Sequence, residues 1–326
     1  MKLKLNQKNI PLLATVLVFV LLYMAGGITY NGFLSGRVFV NLLKDNSYVG
    51  IIAVGMTFVI LSGGIDLSVG SMVAFTGVLS ANLLVAGVPP LMVFIIVLGC
   101  GALLGFSMGS LIHFFELPPF LVTLVGMFLA RGLSFLISLD SVPIRDDMFL
   151  AAAKTAIDFG KGVKLPLYTI AFVVIVVIGV YLSHFTRFGR TVYAIGGNEK
   201  SAVLMGLPVG RTKVLIYTFN SFVCAIGGLV YSLYTLSGYP RAGYTMELDV
   251  IASVVIGGTL LSGGVGFVEG TLIGVLILGL IQTIITFQGT LSTWWTKIFI
   301  GILLSVFILL QRYLSTRNVK IGASST

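Results

Sequence analysis

Glycines, serines and one carboxylate interrupt a long apolar region at residues 61–71, whose sequence is LSGGIDLSVGS. In hydrocarbon every backbone donor and acceptor must be satisfied within the protein, so unwound chain occurs there only against other protein or beside a watery cavity. An aspartate at mid-bilayer costs about 2.5–3.5 kcal/mol on insertion scales, which makes Asp66 a functional candidate. We expect Asp66, Ser68 and Ser62 to line a path on which a hydroxyl-bearing solute exchanges water for their hydrogen bonds.

Asp66 also has a structural interpretation. Its carboxylate would accept from the free N–H groups of a helix that begins at Leu67, where a negative charge suits the helix dipole. The two interpretations are compatible, and the residues alone leave both open.

The same break returns at residues 261–271, whose sequence is LSGGVGFVEGT. Paired, interrupted apolar segments in corresponding halves of a chain indicate the central path of a transporter. Ser262 and Glu269 therefore join the candidate path residues.

Other chemistry finds no support in the residues. The sequence has no G-x-x-x-x-G-K-[ST] loop that would hold nucleotide phosphates, so this chain is not predicted to be an ATPase. His113 and His184 lack H-E-x-x-H spacing, and Cys100 and Cys224 lie in apolar runs typical of packing residues. We predict no catalytic residue, cofactor or metal site.

The composition is that of a membrane protein. Of 326 residues, 57% are hydrophobic and 10% charged, and residues 67–115 contain no Asp, Glu, Lys or Arg. Ten apolar segments predict an all-α polytopic protein with about 8–10 transmembrane segments, forming a single permease domain over residues 1–326. The segments at 48–62 and 248–262 are short, and each ends at a Ser-Gly-Gly step, which predicts two broken or re-entrant helices in corresponding halves.

The basic residues orient the chain. Placing residues 1–10, 186–212 and 314–326 in the cytoplasm follows the positive-inside rule, so the net charge of +9 gives no reason to expect nucleic acid. This arrangement opens both Ser-Gly-Gly breaks to the same side. On the outer face, Arg37, Arg145 and Arg241 offer positive charge to an acidic partner. Arg131, inside its segment, is predicted to snorkel outward or to form an internal ion pair.

Residues 196–208, GGNEKSAVLMGLP, predict a short capped helix in the long cytoplasmic loop. Asn198 suits the N-cap and Gly206 the C′ position. Ala202, Leu204 and Met205, with Val203 between them, would form an exposed apolar knob that calls for a partner. The alternative is a connecting loop, since two-turn helices are marginal alone.

Three stretches carry a family resemblance: residues 55–71 (GMTFVILSGGIDLSVGS), 193–198 (YAIGGN) and 247–259 (ELDVIASVVIGGT). With them, nearly the whole chain resembles the permease subunits of bacterial ABC importers for ribose and related monosaccharides. Within that family the chain resembles one of the two permeases of the galactofuranose importer, and this closer likeness lies in residues 260–266, 289–292 and 294–297.

The resemblance implies an inner-membrane complex of this permease with a homologous second permease, a cytoplasmic ABC ATPase and a periplasmic sugar-binding protein. In that family the loop after the sixth apolar segment docks the ATPase, which gives the role to Asn198, Ala202, Leu204, Met205 and Gly206. Glu269 stands where the family more often has small or apolar residues, so it either lines the path or snorkels.

The rival class is an ion-coupled secondary sugar transporter, in which Asp66 and Glu269 would bind the coupling ion. Such a carrier has no need of an apolar knob in its longest cytoplasmic loop. An integral membrane enzyme would need a metal or nucleophile cluster that the sequence does not offer.

Overall fold

The computed structural model describes residues 10–160, 162–292 and 294–323. Helices make up most of this part of the chain, which confirms the predicted all-α polytopic fold. The predicted cytoplasmic ends lie partly outside it, at residues 1–9 and 324–326. The helices are α1 Ile10–Thr29, α2 Gly36–Asp45, α3 Ser47–Leu61, α4 Val69–Val85, α5 Pro90–Phe114, α6 Pro119–Ile137, α7 Asp147–Lys154, α8 Leu167–Phe185, α9 Arg187–Leu204, α10 Val209–Thr235, α11 Met246–Ile256, α12 Val268–Gln288 and α13 Trp294–Ala323.

Six of the described helices are long and apolar enough to cross a membrane: α1, α5, α6, α8, α10 and α12. The pair α2 and α3 adds a seventh candidate, bent by 55° between its two helices. Two shorter apolar stretches are α4 and Trp294–Leu309 of α13. The two interrupted segments of the sequence correspond to the pairs α3/α4 and α11/α12.

The described part of the chain has four short strands, which lie between α6 and α8 and after α10. They are β1 Val142–Pro143, β2 Ala156–Asp158, β3 Lys164–Pro166 and β4 Ser237–Gly238. β1 pairs antiparallel with β4, and β2 with β3. We call the end of the bundle that carries these strands the outer face, and the opposite end, which carries α9, the inner face. α10 runs from the inner to the outer face.

The centre of the bundle is α3, which packs against α8, α10, α11 and α12. Its sequence is apolar on all sides, and all but two of its residues are buried, as expected of a helix surrounded by others. α10 packs closely against α5 because Gly101, Gly105 and Gly109 leave no side chain between the two backbones. A Cβ on Gly101 would lie 2.6 Å from the Cβ of Ala225.

The periphery is apolar as well. Large hydrophobic side chains are exposed along α5, α6 and α8, among them Leu91, Leu103, Phe128 and Val177. Such continuous exposed apolar surface matches lipid rather than water. The bilayer is therefore the partner of these helices.

Candidate functional site

The first Ser-Gly-Gly break is a tight turn at the inner end of α3. Gly63 has a φ of +83°, a left-handed conformation that favours glycine, and its N–H donates to the Ile60 carbonyl at 2.9 Å. The Ser62 hydroxyl donates to the Val59 carbonyl at 2.7 Å. The Ser62 hydroxyl therefore donates its hydrogen bond within its own helix, although its oxygen can still accept one.

Asp66 is fully buried beyond this turn and accepts three hydrogen bonds. Its Oδ1 accepts from the Ser68 backbone N–H at 2.8 Å and from the Ser68 hydroxyl at 2.6 Å, and its Oδ2 accepts from Asn220 Nδ2 at 2.8 Å. The predicted helix start at Leu67 is wrong, because α4 begins at Val69 with Ser68 at its N-cap position. The carboxylate thus fixes the turn that leads into α4 instead of capping its first N–H groups.

Asn220 is the partner that the sequence analysis missed. It lies near the middle of α10, fully buried, and joins that helix to the first break. A single amide in a long apolar run was the available signal. In the described chain no basic side chain forms an ion pair with Asp66. Asp66, Ser68 and Asn220 form what we call the Asp66 closure.

The second break is longer than the first. Between α11 and α12, Gly258, Gly263 and Gly264 all have positive φ, and Leu260 N–H donates to the Val265 carbonyl at 2.9 Å. Ser262 lies at the exposed tip of this loop. Farther along, the hydroxyls of Thr57 on α3 and Thr271 on α12 share a buried hydrogen bond of 2.8 Å. The two halves of the repeat therefore pack directly on each other.

The two breaks meet each other and the loop helix α9. Gly264 N–H donates to the Leu61 carbonyl at 2.9 Å. A Cβ on Gly263 would lie 2.8 Å from Gly63 N and 3.0 Å from Gly196 Cα, and one on Gly264 would lie 2.9 Å from Gly197 Cα. We call these five residues, Gly63, Gly196, Gly197, Gly263 and Gly264, the glycine contact. The prediction that both breaks open to the same side is confirmed.

Glu269 lies in the first turn of α12, with its Oε1 at 2.9 Å from Nε2 of His184 at the end of α8. Its side chain is 41% exposed. Nearby, the Tyr193 hydroxyl of α9 donates to the Gly266 carbonyl at 2.8 Å. Glu269 therefore has a partner at the inner face rather than a place in the Asp66 closure.

The predicted capped helix is present as the second part of α9. Asn198 leaves the helical region, with φ −163° and ψ 106°, and its side chain accepts from Ser201 N–H at 2.9 Å. At the other end, Gly206 has a φ of +74°, and the N–H groups of Gly206 and Leu207 donate to the carbonyls of Val203 and Ala202. This is a Schellman motif, which ends the helix as predicted.

The prediction that Ala202 belongs to the exposed apolar knob is wrong. Ala202 is fully buried, in a small cluster with Ile195 and Val209, so its side chain cannot contact a partner. Its neighbours Val203, Leu204 and Met205 are 56%, 88% and 66% exposed. The exposed knob therefore consists of these three residues, and Ala202 holds the helix against the bundle.

The basic residues of the outer face divide into two kinds. Arg37, Arg145 and Arg241 are exposed, as a docking role requires. Arg131 forms no ion pair with any described residue. Its Nη1 instead donates to the carbonyls of Pro240 and Ala242, both at 2.7 Å, and its guanidinium lies 4.7 Å from the ring centre of Tyr244.

In the described ranges, no three His, Cys, Asp or Glu side chains lie close enough to hold a metal ion. The arrangement instead suits a change of conformation. A buried carboxylate, a hydroxyl and an amide lie directly after the first glycine turn. Both glycine turns contact α9.

Comparison with known proteins gives a family. Residues 38–308 match the model described as "branched-chain amino acid transport system / permease component". The chain is 53% identical over 310 residues to the inner membrane ABC transporter permease protein YjfF of Escherichia coli K12, covering 95% of this chain and 94% of that protein. It is 41% identical to the fructose import permease protein FruG of Bifidobacterium longum, over 95% and 92% of the two chains. It is also 41% identical to the ribose import permease protein RbsC of Bacillus subtilis, over 83% and 84%. No solved structure is significantly similar to the chain.

Proposed function

The chain belongs to the branched-chain amino acid transport system / permease component family, and from that premise we propose that it is the permease subunit that carries galactofuranose through an ATP-driven importer of the inner membrane. Its relatives named as ribose and fructose import permeases make it a ribose-type sugar permease, a non-catalytic membrane subunit. The narrower choice of galactofuranose rests on residues 260–266, 289–292 and 294–297.

The observation that carries the proposal is the glycine contact. Gly196 and Gly197 immediately precede Asn198, the N-cap of the second part of α9. Both breaks lie against these two glycines with no side chain in between. A displacement of that helix would therefore displace the inner end of α3 and the α11–α12 loop, because closely packed backbones transmit movement instead of absorbing it.

In this proposal the ATPase binds the knob of Val203, Leu204 and Met205, while Asn198 and Gly206 fix the two ends of the coupling helix. Ala202 contributes by packing the helix onto the permease. Burial of exposed apolar side chains in a partner groove supplies the attraction.

The path in this proposal is opened by separation of the Asp66 closure. In the present conformation Asp66 and Ser68 are fully buried, so a sugar reaches them only after α10 moves away from the first break. Ser62 and Ser262 would then offer hydroxyls on the two turns. Glu269, paired with His184, would contact the sugar at the inner end of the path.

The whole chain acts in this proposal as one membrane domain, with residues 1–10, 186–212 and 314–326 in the cytoplasm. Its partners are a cytoplasmic ABC ATPase, a homologous second permease and a periplasmic sugar-binding protein. Arg37, Arg145 and Arg241 would receive acidic residues of the binding protein. Asp66, one of the two residues that would bind the coupling ion in the rival secondary carrier, is already satisfied by neutral donors.

The test is uptake into proteoliposomes that hold the permease together with its ATPase, second permease and binding protein. We expect labelled galactofuranose to accumulate when ATP and Mg²⁺ are supplied on the side of the membrane that carries the ATPase. An ion gradient alone should give no accumulation. ATP-driven uptake of ribose or fructose without galactofuranose would refute the choice of sugar. Uptake that needs an ion gradient and ignores ATP would refute the importer.

A further inference from the structure

A cavity of about 520 Å³ lies at the outer face, among the ends of α2, α3, α10, α11, α12 and α13. It is lined from the first turn of α3 by Tyr48, from the last turns of α10 by Tyr231 and Tyr234, and from α12 by Gly279 and Gln282. The glycine contact is at the opposite end of α3. In the described chain, none of the five predicted path residues lines this cavity.

Aromatic rings form one part of its lining. Tyr48 and Tyr231 stand edge to face with ring centres 5.0 Å apart, and Tyr234 lies 5.9 Å from Tyr48. A fourth tyrosine, Tyr244, lines the cavity from the loop before α11. Tyrosine offers an apolar face and a polar tip, which suits a ring that carries both C–H groups and hydroxyls.

Amide groups form another part. The side chains of Asn41 and Gln282 form no hydrogen bond with any other described residue, so each has donors and an acceptor available. Asn46 uses its Nδ2 on the Leu42 carbonyl at 2.8 Å, which leaves its Oδ1 to accept. Gly279 makes room for this amide, because a Cβ there would lie 2.6 Å from Asn46 Cγ.

The charged groups of the lining are already neutralised. Both carboxylate oxygens of Asp249 accept from Lys297, at 2.7 and 2.6 Å. Asp45 accepts from the Tyr234 hydroxyl at 3.3 Å, and its Oδ1 lies 3.5 Å from Lys44 Nζ. A cavity with paired charges and unpaired amides favours a neutral, hydroxyl-rich ligand over an ion.

We infer that this outer cavity is a binding site for a neutral monosaccharide, which stacks on Tyr234 and Tyr48 and forms hydrogen bonds with Asn41, Asn46 and Gln282. The volume falls within the range of about 300–1,000 Å³ typical of small-ligand pockets. The inference rests on the proposed function and adds to it a place on the outer side where the sugar is held before the Asp66 closure opens.

The test is protection of a cysteine placed in the cavity. Gln282→Cys is labelled with a membrane-impermeant maleimide in right-side-out vesicles, with methyl galactofuranoside, ribose, fructose or leucine as competitor. The matched control is Gln288→Cys, six residues later on the same helix and outside the lining. We expect at least one sugar to slow labelling of Gln282→Cys at least threefold and to leave Gln288→Cys unchanged.

A second pair of variants uses transport. Gln282→Ala and Tyr234→Ala should each reduce ATP-driven uptake at least fivefold at low sugar concentration, with the ATPase still co-purifying, and Gln288→Ala should not. The inference is overturned if Gln282→Cys is not labelled, if no sugar slows its labelling, or if leucine alone protects it. Normal uptake by both alanine variants while the wild type imports sugar would also overturn it and would leave the proposed function intact. If the wild-type complex itself imports no sugar, the proposed function is refuted. The protection assay would then still show whether a sugar binds in the cavity.

Discussion

Replacing Leu204 and Met205 by serine should release the ATPase without unfolding the membrane domain. These side chains are 88% and 66% exposed on the knob, so serine removes little contact within the permease. Burial of such a side chain in a partner groove contributes about 1.5–3 kcal/mol. Even the lower figure gives about 3 kcal/mol for the pair, which is about 100-fold in the dissociation constant.

The assay measures binding of the ATPase to the purified permease by titration, together with uptake and thermal unfolding of the permease alone. We expect Kd to rise about 100-fold, uptake to be lost and the unfolding temperature to stay the same. Met148→Ser, a similarly exposed methionine on α7 of the outer face, is the control and should change none of the three. Unchanged Kd and uptake in the double variant would refute the coupling role. A lower unfolding temperature with ATPase binding intact would show instead that the helix serves the permease's own stability.

Four further predictions follow from the same contacts. Asp66→Asn should insert normally and lose most uptake, because it places an amide against Asn220 and removes the charge from the closure; normal uptake per inserted protein would reduce Asp66 to a structural turn. Gly196→Ala should abolish uptake with the ATPase still bound, because its Cβ would overlap Leu61 O and Gly264 N. Gly197→Ala should still transport, because a Cβ at Gly197 has no other atom within 4 Å. Equal activity of the two variants would contradict the glycine contact. Arg131→Ala should lower the free energy of unfolding by about 2–4 kcal/mol, as two hydrogen bonds to a charged group and one cation–π contact are lost, and a thermal shift below 1 °C would contradict this. Charge reversal at Arg37, Arg145 and Arg241 together should reduce uptake and its salt dependence, and wild-type uptake across salt concentrations would exclude their docking role.

The parts of the fold that depend on local patterns could be predicted from the sequence. The apolar runs give the helices, and the Ser-Gly-Gly steps give the breaks because only glycine adopts the positive φ found at Gly63 and Gly263 without strain. The second part of α9 could be predicted equally well, because Asn198 and Gly206 cap it through hydrogen bonds to residues within four positions.

What could not be predicted depends on partners distant in the chain. Asn220 lies 154 positions from Asp66, and an apolar run gives no sign of which carboxylate its one amide will meet. Ala202 looked like part of the exposed knob because two turns of helix do not reveal which side faces the bundle. The outer cavity escaped detection altogether, because six helices from both halves of the chain contribute to its lining.

The most direct test of the account measures whether ATP opens the Asp66 closure. Ser68 is fully buried beside Asp66, so Ser68→Cys in the complete complex should react with a small maleimide only when that closure separates. We predict slow labelling without nucleotide, fast labelling during ATP turnover, and no acceleration when Gly196→Ala is added. Labelling at the same rate with and without ATP would contradict the claim that the loop helix moves the two breaks.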